Sequence, residues 1–129
     1  MVRRAGRQRM AGLHEIVLAL RNSLRGLVFA VRSERAVRQE LVLLLLALPL
    51  AAVVTEKLWL RVGLVCTILL VLTAELLNTA LEKLADHVTP EPHPRIGIVK
   101  DLGSAAVFCA LILAALVWGA AVAERLGLL

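Results

Sequence analysis

The chain has 129 residues, 60% of them apolar and only 3% aromatic, with a formal charge of +5 from 15 Lys+Arg and 10 Asp+Glu and a mean hydropathy of +0.83. That length is room for one domain, and the apolar share exceeds the ~45–50% of an ordinary water-soluble domain. The excess lies in three blocks, which points to lipid rather than to a water-soluble core; Cys66 and Cys109 lie in different blocks, which excludes a disulfide framework or a CxxC site.

Residues 1–11 are basic and irregular, and are expected to be mobile. From Leu13 the apolar positions run Leu13, Ile16, Val17, Leu20, Leu24, Leu27, Val28 and Val31, a helical period. The other face carries Glu15, Asn22, Arg25 and Arg32. The spacing predicts an amphipathic helix over 12–32 that lies in the membrane interface plane. It is not a secretory signal, which needs a continuous apolar stretch soon after its charges. An Arg-rich, acid-poor start also suits an organelle transit peptide.

Leu41 to Thr55 is 15 residues without a charge, about 22 Å of helix against a ~30 Å hydrocarbon core. The first span is therefore expected over 36–55, with Arg38, Gln39 and Glu40 at the interface. Glu56-Lys57 marks a turn, and Trp59 suits an interfacial aromatic. A second span is expected over 58–86, although its uncharged stretch, Val62 to Ala74, is only 13 residues. Residues 87–99 carry three prolines and read as a loop. Leu102 to Ala123, 22 residues without a charge, supplies a third span over 101–124.

Nine of the 15 basic residues are arginines within residues 1–38. Placing that segment and the 86–101 loop on the cytoplasmic side puts twelve of the 15 inside, the nine arginines with Lys83, Arg95 and Lys100, leaving Lys57, Arg61 and Arg125 outside. The positive-inside rule accounts for the asymmetry. Nucleic-acid binding would also explain a basic N-terminus, but leaves the second span unexplained, and no nucleic-acid partner is expected.

That second span carries the main anomaly. Glu75, Asn78, Glu82 and Asp86 are spaced 3, 4 and 4, so they share an arc of about 80° and about 16 Å of axial length. Ionisable groups inside a membrane are costly and mark function by default; the bland alternative is a polar clamp between helices. Clustered acids repel unless a divalent cation joins them or one takes a proton. Hard oxygen ligands suit Mg²⁺, which usually also takes phosphate oxygens. Glu34, Glu40 and Asp101 lie just before the first and third apolar blocks and can join the cluster. Asp101 can also be a helix N-cap, and Lys100 can hold a phosphate at the same helix N-terminus. His14, His87 and His93 have no metal spacing, and no GxxxxGK[ST] loop is present.

The segments SERAVRQE (33–40), AELLNTALEKLAD (74–86) and VKDLGSAAV (99–107) resemble the prokaryotic diacylglycerol kinase family. The likeness extends over about residues 13–124, and ExxNTAxExxxD followed by KDxGSAAV is a specific pair of motifs. The resemblance implies an all-α membrane protein, a homotrimeric bundle of subunits with a surface helix and three transmembrane helices, with active sites shared between subunits. It implies transfer of the ATP γ-phosphate to diacylglycerol, in the bacterial inner membrane, with the N-terminus cytoplasmic and Mg²⁺ as cofactor. Carried over by position, Glu75 is implied as general base and Glu34 and Glu82 as metal ligands. Asn78, Asp86, Lys100 and Asp101 are implied as phosphate and nucleotide residues, and Arg38, Gln39, Glu40 and Ser104 as supporting residues. Glu15 and Leu24 depart from the family pattern and bear on lipid contacts of the surface helix. Related enzymes of the same fold phosphorylate undecaprenol; the RQE and GSAAV runs look more like the diacylglycerol branch.

Two further readings compete. A non-enzymatic scaffold predicts loss of an acid from the cluster, and every one is present. A proton or ion carrier predicts polar groups reaching both membrane faces, whereas the outer half of each span is apolar.

Overall fold

The computed structural model describes the backbone of residues 2–128 and the side chains of residues 14–128. Among them are four helices and no strand: α1 (Val2–Ser33), α2 (Arg35–Val54), α3 (Leu58–Val88) and α4 (Pro94–Arg125). The chain divides into one unit containing α1 and another, 34–129, containing α2 to α4.

α1 starts ahead of the expected position 12. Residues 2–11 contain no proline, and Arg, Ala, Gln and Met all accept helical geometry. Along α1, Ile16, Val17, Leu20, Leu24 and Val28 are exposed.

In the second unit, α2, α3 and α4 are each long and apolar enough to cross a membrane. α3 is the central element, packed against both neighbours, while α2 and α4 barely meet. Their outer ends are level. Thr55 closes α2, Arg61 Nε donates to Thr55 O at 2.6 Å and a second Arg61 nitrogen to Ala52 O at 3.3 Å. The guanidinium thus takes up carbonyls that the end of α2 leaves unpaired. At the same level Lys57 Nζ meets Glu124 Oε1 at 2.7 Å, tying the start of α3 to the end of α4.

Two apolar clusters hold the three helices. Ala51, Leu64 and Ala121 form the outer one, with Val117 and Trp118 against it. Val71, Ala110 and Ala114 form the one further in. Alanine at the contacts lets helices approach closely, as suits packing in lipid, where apolar burial supplies little drive. Trp118 Nε1 donates to both Leu64 O and Thr67 Oγ1 at 3.2 Å, so its polar atom is satisfied inside the bundle. Large apolar side chains elsewhere on these helices, among them Leu45, Leu69 and Leu116, face outward.

α2 is 20 residues, α3 31 and α4 32, about 30, 46 and 48 Å. With outer ends level, α3 and α4 continue past α2 at the inner end.

The inner connection differs from the expected loop. α3 runs to Val88 and α4 begins at Pro94, so only residues 89–93 are non-helical. Proline at the first helical position lacks an N–H that would be unpaired there anyway. His93 Nδ1 accepts from Arg95 N at 3.3 Å and caps the helix. Asp101 is therefore not an N-cap, and Lys100 is nearly two turns inside α4 rather than at its N-terminus.

Candidate functional site

Glu75 lies 17 residues into α3, about 25 Å from the outer end. Glu40 lies 14 residues before the end of α2, about 21 Å from the same level. The two carboxyls are thus at similar depth on adjoining helices. They interact electrostatically, as does Glu75 with Glu82 and Glu34.

Four acids therefore converge where α2 meets α3. Glu34, in extended conformation (φ −108°, ψ 125°), is the N-cap of α2, yet its side chain caps nothing. Its Oε1 instead receives Lys83 Nζ of α3 at 2.9 Å. Glu40, the one buried charged side chain among the described residues, leaves Oε2 without a hydrogen-bond partner there. Asn78 is buried one turn inward of Glu75 and donates through Nδ2 to Glu82 Oε1 at 3.2 Å. Its Oδ1 has no hydrogen-bond partner among the described residues. It points at α4, where a Cβ on Gly103 would overlap it.

Further in, Asp86 Oδ1 pairs with Lys100 Nζ at 2.5 Å, joining the ends of α3 and α4. This pair borders a cleft of about 580 Å³ lined also by Thr89, Glu91, His93 and Gly97. Asp101 and Ser104 are exposed on the first half of α4, and Arg38 and Gln39 are exposed on α2. The structure thus brings together Glu34, Glu40, Glu75, Asn78 and Glu82, keeps Asp86 with Lys100 at the adjoining cleft, and leaves Arg38, Gln39, Asp101 and Ser104 outside the central cluster.

Lys83 was not expected at the site. It stands one place after Glu82, and its partner is 49 positions away on another helix; no local spacing carries that signal. Burial of Glu40 is likewise invisible in sequence, since three of its neighbours, Arg35, Arg38 and Gln39, are polar.

Among the described residues no three His, Cys, Asp or Glu side chains form a ready-made cation cage. The donors present are nevertheless all hard oxygens, and the buried Glu40 Oε2 has no hydrogen-bond partner among the described residues. Such a set fits Mg²⁺, which takes one or two protein carboxylates and completes its shell with water and phosphate.

Three apolar spans and a carboxylate cluster at one end of the bundle define an all-helical protein of the membrane-spanning class, with a site adjoining a polar cleft. The chain matches the prokaryotic diacylglycerol kinase family over residues 21–122 and belongs to that family. A diacylglycerol kinase of Haemophilus influenzae is 37% identical over 108 residues, covering 84% of this chain and 92% of that protein. That of Escherichia coli K12 is 39% identical over 107 residues, covering 83% and 88%. That of Pseudomonas aeruginosa is 38% identical over 107 residues, covering 83% and 87%.

Proposed function

We propose that the chain is a lipid kinase that transfers the γ-phosphate of ATP to the free hydroxyl of diacylglycerol, giving phosphatidic acid. The observation that carries this reading is the grouping of Glu34, Glu40 and Glu82 within electrostatic reach of Glu75 where α2 packs on α3. Membership of the diacylglycerol kinase family supports the choice of substrate.

Phosphoryl transfer requires positioning and charge neutralisation more than covalent participation by the protein. Glu75, half-buried on α3, takes the proton from the lipid hydroxyl as that oxygen attacks the γ-phosphorus, and the bond from phosphorus to the β–γ bridging oxygen breaks to release ADP. Glu34 and Glu82 would hold the cation from two helices, and Asn78 orients Glu82 through its 3.2 Å hydrogen bond. A Mg²⁺ held there would supply charge neutralisation on the transferring phosphate. Asp86 and Lys100, beside the 580 Å³ cleft, receive the nucleotide together with Asp101. Arg38, Gln39, Glu40 and Ser104 support the site. The unpartnered Glu40 Oε2 suits an assembly in which a neighbouring subunit completes the site, and the reading includes a homotrimer. α1 lies in the membrane interface with its exposed apolar residues toward lipid. The N-terminus and the 89–93 turn face the cytoplasm of a bacterial inner membrane.

The test is phosphate transfer from ATP by the purified protein, measured side by side on diacylglycerol and on undecaprenol, with Mg²⁺ and with EDTA. Cation-dependent labelling of diacylglycerol is expected. Preference for undecaprenol would keep the mechanism and change the substrate. No transfer to either by the folded protein would overturn the kinase reading.

A further inference from the structure

Lys83 follows Glu82 directly on α3, and its Nζ lies 2.9 Å from Glu34 Oε1, with side chains 46% and 27% exposed. Glu34 is the N-cap of its own helix, yet its side chain makes no capping hydrogen bond. The ammonium therefore occupies an oxygen of the very residue read above as a cation ligand. We propose that Lys83 is an internal counter-ion: it neutralises Glu34 while the divalent site is empty, is displaced when a divalent cation binds, and so sets the cation concentration the protein requires. This rests on the reading of Glu34 and Glu82 as the cation-holding pair.

The physical case has three parts. Glu34, Glu75 and Glu82 lie within electrostatic range of one another, so an empty cluster needs a positive charge to limit repulsion. Lys83 supplies it from a half-exposed position on a flexible stem, and an ion pair at that exposure is worth little. A divalent cation then bridges two carboxylates with twice the charge, and it competes with Lys83 for the same Glu34 oxygen. Lysine thus stabilises the empty site and opposes loading of the cation, two effects of opposite sign from one contact.

The test is Mn²⁺ binding to the assembled protein in detergent, read from the free-ion spin-resonance signal, for wild type, Lys83→Met, Lys83→Gln and Lys83→Arg. Lys83→Met and Lys83→Gln are expected to bind Mn²⁺ roughly two- to fivefold more tightly, the range of a half-exposed ion pair. Both are expected to melt at a lower temperature without metal, with the gap to wild type closing at saturating Mn²⁺. Lys83→Arg is expected to restore wild-type affinity. A lysine that only held Glu34 in place would give weaker binding when removed. Equal or weaker binding in whichever neutral variant folds would overturn the proposal while leaving the cation reading intact. Absence of Mn²⁺ binding to wild type would overturn both.

Discussion

The Asn78 carboxamide fills the space that a side chain at Gly103 would need. α3 and α4 therefore approach closely where Asn78 reaches Glu82, and a single glycine on α4 sets the geometry of a hydrogen bond on α3.

Gly103→Ala forces either a shift of α4 or rotation of Asn78 away from Glu82. Overpacking of this kind costs about 1–3 kcal/mol. Thermal unfolding in detergent should show a lower midpoint, and phosphate transfer should fall more steeply than the fraction unfolded. Gly103→Ala with wild-type stability and rate would mean that α3 and α4 have slack at this contact.

Glu75→Gln keeps the size of the side chain and removes the carboxylate that accepts the proton. Helix content and assembly size should be unchanged. Turnover should drop by roughly 10²–10⁴-fold, the usual contribution of a general base. A rate within a factor of two of wild type would exclude Glu75 as the base.

Glu34→Gln and Glu82→Gln each remove one charge from the cation-holding pair. The Mg²⁺ concentration for half-maximal rate should rise steeply in both, and EDTA should abolish activity in wild type. Glu34→Gln has a second consequence, since it also releases Lys83. The two variants should therefore respond differently to ionic strength, which an Mg²⁺ titration at two salt concentrations would show.

Trp118→Phe removes the Nε1 bonds to Leu64 O and Thr67 Oγ1. Thr67 then keeps its own 2.7 Å bond to Leu64 O, so the loss should be modest, about 0.5–1.5 kcal/mol. Thr67 lies eight residues outward of Glu75, about 12 Å along α3. Equilibrium unfolding should register the change while the KM for ATP stays at the wild-type value.

The three spans were legible in sequence because long uncharged runs have one stable arrangement in lipid, a helix with all backbone groups paired internally. The shared face of Glu75, Asn78, Glu82 and Asp86 was legible because helical geometry turns spacing directly into position. The start of α4 was not: three prolines read as a loop, yet Pro94 takes the one helical position where a missing N–H costs nothing, and the cap is His93.

Sequence by itself thus determined the all-helical class, the spans, the family and which acids share α3, since all of these follow from local pattern. Tertiary structure alone decided which residues meet across helices. Burial of Glu40 beside Glu75, Lys83 on Glu34, Lys100 on Asp86 and Asn78 against Gly103 depend on how α2 and α4 dock on α3. Docking is set by the shape of small residues such as Ala51, Ala110, Ala114 and Ala121 in two clusters, and shape complementarity between distant segments has no period along the chain.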